Sequence, residues 1–242
     1  MLETGNNRKY THRMSIRQTA DGFSLYIYNV LTGKLQQCDT VPLTGSISAE
    51  EVLRSQLTRP RLQDLEFGEV ELVSELPATL IPLDEFRKSE VLPLYRLNYP
   101  NSTYTAYDIR CEVLSALEVV VAYPVPAAVE QVLHSLFPSV QVRSLLGQSL
   151  ERFAAQKHSK KEGNSHFYAL FTDSTMVLGH LLDHKLQYAC SYAVGNDADR
   201  VYYLLSVWKN LNLDSHASCI LYGATEEVVS KVRKFIAIVR EE

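Results

Sequence analysis

Twice in this chain, three short apolar runs separated by tight turns lead into an amphipathic helix and then another short run. Few folds accommodate that order. In the later copy the runs are Phe167–Phe171, Thr175–Leu182 and Lys185–Val194, with Asp173-Ser174 and Asp183-His184 as the turns. Such runs read as strands joined in hairpins. Asn196-Asp197 then offers a helix N-cap, and Val201, Leu204, Leu205, Trp208 and Leu211 recur at helical spacing. The run SCILYG predicts a buried strand, and a final helix is expected from about Thr225. Val228, Val229, Val232, Phe235, Ile236 and Val239 would form its apolar side, with Glu226 and Glu227 in its first turn and Arg240 in its last.

The earlier copy starts with Met14–Thr19 and Phe23–Val30 around Asp21-Gly22. This dipeptide favours a closed two-residue hairpin turn with both central residues at φ > 0. Phe23, Leu25 and Ile27 alternate with Ser24, Tyr26 and Tyr28, the period of a strand with unlike faces. Lys34–Leu43 is the third strand. A helix opens at Ser48, with Glu51 completing a capping box, and stops before Pro60, and Glu69–Val73 is the next strand. Between the copies the pattern predicts a helix near Asp84–Tyr95, strands near Thr103–Glu112 and Leu117–Tyr123, and a helix that Pro126 opens and Pro138 closes. A strand near Val140–Ser144 and a helix near Leu145–Gln156 complete this region. EVVVAYPVP is the most apolar run and reads as an inner strand. The polar, basic stretch from Ala154 to His166 reads as a seam. The expected division is a flexible tail over 1–13, a first half with a middle insertion over 14–156, a linker over 157–165, and a second half over 166–242.

Composition narrows the partners. A net charge of −4 and a pI near 6.0 argue against a nucleic-acid partner, because phosphate backbones are bound mainly through a basic field. The N-terminus holds no apolar run of secretory type, and no run approaches the roughly 18–20 apolar residues of a spanning helix. The cytoplasm is the expected location. Cys38, Cys111, Cys190 and Cys219 lie in predicted strands without C-x-x-C spacing, so reduced, packed thiols are expected rather than a zinc site.

The segments MSIRQTADGFSLYIYN (Met14–Asn29), ALEVVVAYPVP (Ala116–Pro126) and YYLLSVWKNLNLD (Tyr202–Asp214), the last followed by CILYG (Cys219–Gly223), stand in an order that resembles the actin-like ATPase fold. More closely, the chain resembles a bacterial family of unknown function grouped with the actin-like ATPases by fold, from about Met14 to Val239. The resemblance implies an α/β fold of duplicated ribonuclease-H-like subdomains in an actin-like arrangement with mixed sheets, and no particular activity. In active actin-like proteins, each half opens with an Asp-x-Gly-Thr/Ser hairpin. Its N–H groups approach a phosphate and its aspartate holds Mg²⁺ through water. A Gly-Gly turn after a late strand makes room for adenosine. The matching positions are Asp21, Gly22 and Ser24 in the first hairpin, Asp173, Ser174 and Thr175 in the second, and Gly223 at the adenosine turn.

This sequence departs from that pattern. A closed Asp21-Gly22 turn leaves no open row of N–H donors for an anion. The second hairpin has no glycine before Gly179, so β-carbons at Ser174 and Thr175 crowd a phosphate. Gly223 is followed by Ala224, and no phosphate-cradling glycine motif occurs elsewhere. The weaker constellations carry less. His180 and His184 fall across a strand end and a turn, so their rings diverge and no metal site is expected. No G-x-S-x-G elbow is present, and the first strand MSIRQT holds no acid for a two-metal nuclease. Tyr99, Tyr104 and Tyr107, in NYPNSTYTAYD, have the profile of contact residues.

Two expectations follow. The first is a non-catalytic binding or scaffold module with degenerate phosphate loops and no cofactor, whose partners are other proteins, a second copy of the chain among them. The alternative is an ATPase or sugar-kinase-like phosphotransferase using Mg-ATP in a cleft between the halves.

Overall fold

The computed structural model describes residues 11–45, 47–157, 163–213 and 217–242. The backbone divides into two compact units. Unit 1 comprises 1–74 and 125–143, and unit 2 comprises 75–124 and 144–242.

In unit 1, β1 (His12–Gln18), β2 (Gly22–Asn29) and β3 (Leu35–Pro42) form an antiparallel meander, and β4 (Phe67–Ser74) lies parallel to β1. Helices α1 (Ala49–Leu57) and α2 (Pro60–Gln63) connect β3 to β4. The sheet order is β3-β2-β1-β4-β8, with β8 at Gln141–Ser144. Register explains the two faces. Ile27–Met14–Val70 and Leu25–Ile16–Leu72 are cross-strand rows, and all six residues are buried. The next row is Tyr28–Arg13–Glu69, where the Arg13 guanidinium lies 4.7 Å from the Tyr28 ring centre. Buried Leu53 and Leu57 of α1, and Val129, Val132 and Leu133 of α4 (Ala127–Leu136), add to the core. Each such side chain contributes about 1.5–3 kcal/mol on burial.

Unit 2 opens with β5 (Thr79–Pro82), α3 (Val91–Asn98), β6 (Ile109–Leu114) and β7 (Val119–Pro124). Its small sheet has the order β5-β7-β6. The EVVVAYPVP run supplies its central strand, where Val120 to Pro124 are all buried. The second five-stranded sheet has the order β11-β10-β9-β12-β13, from β9 (Ser165–Phe171), β10 (Thr175–Leu182), β11 (Lys185–Ala193), β12 (Ser218–Tyr222) and β13 (Val239–Glu241). Numbered within each meander, both sheets follow one plan, third-second-first-fourth-fifth strand. This is the duplication expected of ribonuclease-H-like subdomains.

Both faces of the second sheet are covered. Phe167, Ala169, Met176, Leu178, Cys219 and Leu221 pack against α6 (Asp197–Asn210) and α7 (Glu226–Val232). On the other face lies α5 (Leu145–Ala155), whose Phe153 stacks on Tyr168 at 4.7 Å and on Tyr222 at 5.8 Å. A β-carbon at Gly179 would sit 2.9 Å from the Phe153 ring, so this glycine sets how near α5 can lie.

Several expectations need correcting. β1 begins at His12, so His12 and Arg13 are strand rather than tail; residues 1–10 lie outside the described ones, as do 158–162 of the expected linker. The predicted strand at Thr103–Glu112 starts only at Ile109, and β5, α2 and β13 were not foreseen. The last helix ends at Val232. Phe235 is 71% exposed, and Val239 and Arg240 belong to β13, because this sheet gains a parallel fifth strand that outcompetes further helix. Of the cysteines only Cys219 is buried, and Cys38 and Cys111 are exposed.

Candidate functional site

The first candidate hairpin is not an Asp-Gly turn. Thr19 N–H donates to Gly22 O (2.9 Å), which puts Ala20 and Asp21 at the tip, and neither has a positive φ. Gly22 has φ +156° and opens β2, where an added β-carbon would lie 2.2 Å from Val41 O. The glycine is therefore there so that β3 can approach β2. Asp21 O accepts from Leu43 N–H at 2.7 Å, and the Ser24 hydroxyl lies 3.4 Å from that of Thr40 across the strands. The turn with two positive-φ residues is instead Asp183-His184, at φ 50° and 63°.

The second hairpin is pinned from several sides. Thr172 N–H donates to Thr175 O at 2.8 Å, and the Thr172 hydroxyl accepts from Thr175 N–H at 3.0 Å. That hydroxyl lies 3.0 Å from Glu75 Oε2 and 3.1 Å from Thr175 O, with one proton to give. Ser174 O accepts from Val194 N–H at 2.9 Å. The carbonyls of Thr172 and Asp173 accept from Arg200 Nη2, at 2.8 and 3.2 Å. Arg200 Nη1 in turn meets Asp197 Oδ1 at 2.6 Å, and Asp197 Oδ2 accepts from the Thr225 hydroxyl at 2.5 Å. The Thr225 bond and Arg200 hold the Asp197 carboxyl below its ordinary pKa of 3.8. This network joins the hairpin, the start of α6 and the cap of α7.

Gly223 has φ +70° and an added β-carbon would stand 3.0 Å from Phe171 O, so it serves the close passage of the turn over β9. At the start of α6 the Asn196 cap Oδ1 accepts from Asp199 N–H, and Asp199 Oδ2 accepts from the Gly195 N–H just before the helix, each at 3.0 Å. A phosphate brought to this rim meets carboxylates and a guanidinium already paired with one of them. It would have to displace Asp197 from Arg200.

The tyrosines divide. Tyr99 packs on the small core of unit 2 beside Tyr95 and donates to Ala78 O at 2.9 Å, and burial pushes its phenol up to about 12. Tyr104 packs on the same core, whereas Tyr107 is 81% exposed. His180 and His184 do separate. The His180 ring is buried and bonds the Ser165 hydroxyl at 3.0 Å, and desolvation holds its pKa below 6.5; His184 is exposed in the turn. Among the described residues no three His, Cys, Asp or Glu side chains converge as metal ligands, and no helix is long and apolar enough to cross a membrane.

Arg200 and Glu75 were not picked out from sequence, and Asp197 and Thr225 only as the starts of helices. The Asp197–Arg200 spacing was the available signal, since residues three apart share a helix face. Their contacts with residues 172, 173 and 225 are long-range, and no local pattern carries them.

The chain belongs to the family described as "Protein of unknown function (DUF3822)", which it matches over residues 3–239. No curated protein sequence matches it. Among solved structures it is similar to a Bacteroides thetaiotaomicron protein with actin-like ATPase fold and unknown function. Identity is 22%, 100% of this chain and 94% of the other are covered, and the TM-score is 0.74. It is more distantly similar to the cytoplasmic domain of EpsL, an inner membrane component of the Vibrio cholerae type II secretion system. That match has 11% identity, coverage of 87% and 81%, and a TM-score of 0.47. A further match is the ethanolamine utilization protein EutJ from Carboxydothermus hydrogenoformans, with 8% identity, coverage of 95% and 84%, and a TM-score of 0.45. The fold is that of the actin-like ATPases.

Proposed function

We propose that this family member works by binding other proteins in the cytoplasm, with the nucleotide positions of its fold given over to holding the chain together. The carrying observation is the Arg200 guanidinium. Its two Nη groups are committed to two hairpin carbonyls and to Asp197, and its Nε–H, without a partner among the described residues, is buried away from solvent, where a phosphate site needs exposed free donors and uncommitted positive charge. Gly22 points the same way, since it accommodates Val41 O rather than a ligand. On this reading neither ATP hydrolysis nor phosphoryl transfer is the activity, and no nucleotide cofactor is required.

The test is the thermal stability of the purified protein with and without millimolar Mg-ATP and Mg-ADP. A ligand at 100 times its Kd stabilises a fold by about 2.7 kcal/mol, a shift of several degrees. No shift is expected. A clear shift that disappears in Asp21→Ala would overturn the proposal and restore a nucleotide-dependent enzyme.

A further inference from the structure

The duplicated sheets let one cross-strand row be compared in both units. Counted from the first hairpin of each meander, the sixth pair is Arg13–Tyr28 in unit 1 and His166–Leu181 in unit 2. On the parallel neighbour strand, Arg13 is paired with Glu69 and His166 with Ser218. In unit 2 this row is closed. His166, Leu181 and Ser218 are all buried, and His166 Nδ1 lies 2.7 Å from the Ser218 hydroxyl. In unit 1 the row is open. Arg13 and Glu69 are exposed, and together with Tyr28, Asn29, Val30 and Gly68 they line a cleft of about 480 Å³.

The polar groups of this cleft are not spent within the chain. Arg13 and Glu69 are register partners, yet neither makes a hydrogen bond or ion pair with the described residues. The reason is geometric. The Arg13 guanidinium leans over the Tyr28 ring on β2, 4.7 Å from its centre, while Glu69 stands on β4, on the other side of β1. Asn29 Oδ1 accepts from the amides of Leu31 and Thr32, each at 3.0 Å, which fixes its side-chain amide. Its Nδ2 has no acceptor among the described residues. A β-bulge shapes the same end of the sheet: the register passes from His12–Phe67 to Arg13–Glu69 and leaves Gly68 without a partner on β1. Bulges re-aim side chains, and the matching β9–β12 pairing of unit 2 has none.

We infer that this cleft binds a small zwitterion, a free α-amino acid with an apolar side chain. A simple anion on Arg13 would face the Glu69 carboxylate, and a simple cation on Glu69 would face the guanidinium. A ligand carrying both signs satisfies both walls at once. The carboxylate is taken by the Arg13 guanidinium, which presents a planar fork of donors, and by Asn29 Nδ2. The ammonium is taken by Glu69. The side chain lies against Val30, which is 52% exposed. The volume falls within the roughly 300–1,000 Å³ of small-molecule clefts, and a few placed polar groups beside apolar surface is how such clefts orient a ligand. The inference goes beyond the protein-binding reading and stands without it.

The experiment is ligand-observed saturation-transfer NMR on the full chain, with each common L-amino acid at millimolar concentration, followed by calorimetric titration of those that bind. Transfer to the apolar amino acids is expected. Arg13→Gln and Glu69→Gln, both at exposed strand positions, should each weaken binding at least tenfold. Two analogues assign the contacts. The N-acetylated amino acid lacks the ammonium, so it should bind the wild type more weakly and lose nothing further in Glu69→Gln. The amino-acid amide lacks the carboxylate and should behave in the same way toward Arg13→Gln. Should a variant prove unfolded in urea titration, the analogues decide on the wild type, and an analogue that binds as tightly as its parent overturns the inference. It is overturned equally by the absence of transfer to any amino acid, or by an affinity that either substitution leaves unchanged. Binding of phosphoethanolamine, a zwitterion of wider charge spacing, with no amino acid bound would overturn the ligand class.

Discussion

Replacing Gly22 by alanine separates a glycine kept for strand approach from one kept for turn conformation. The new β-carbon would lie 2.2 Å from Val41 O, 2.9 Å from Pro42 Cα and 3.0 Å from Val41 C, all backbone atoms that no side-chain rotation can clear. β2 and β3 must move apart, which weakens one or two ladder hydrogen bonds at about 1 kcal/mol each. Alanine at φ +156° adds strain of about 1–3 kcal/mol. The smaller entropy of the unfolded alanine chain returns about 0.4–1 kcal/mol. The sum is a destabilisation of about 1–5 kcal/mol, centred near 3. Gly33→Ala is the control: its φ is +66° and nothing lies within 4 Å of the added atom. There only left-handed strain of about 1–2 kcal/mol acts, less the same entropy gain. Urea unfolding followed by far-UV circular dichroism gives both values. Gly22→Ala should cost about 2 kcal/mol more than Gly33→Ala, and equal costs would refute the assignment of Gly22 to the β2–β3 approach.

Arg200→Leu removes the donor to the Thr172 and Asp173 carbonyls while keeping apolar contact with Phe171, so amides 172–175 should exchange at least tenfold faster by hydrogen-exchange mass spectrometry. Unchanged exchange would mean that the hairpin holds itself. His180 is held below its ordinary 6.5 by desolvation, so at mildly acid pH the unfolded chain binds a proton that the folded one resists. Its contribution is complete above about pH 6.5 and is lost as pH falls toward the folded pKa. The urea midpoint should therefore drop between pH 7.5 and 5.5 by more in the wild type than in His180→Asn, a variant that does not titrate there.

Much of the architecture is local and could be read directly. The alternation of Phe23, Leu25 and Ile27, the capped start at Asn196 and the apolar run of β7 each follow from nearest-neighbour sterics, capping and burial periodicity. Those rules act over a few residues, so the strand–strand–strand–helix–strand repeat was visible in sequence. The aspartates and glycines at the two hairpins were visible as well, but not their use. Only the tertiary structure decides that Gly22 faces Val41 O, that Arg200 reaches back 28 residues to Thr172, and that Gly179 admits Phe153. It also turns the Val239 end of the chain into a fifth strand where helical spacing predicted more helix, because a parallel neighbour at β12 supplies hydrogen bonds that no local pattern records.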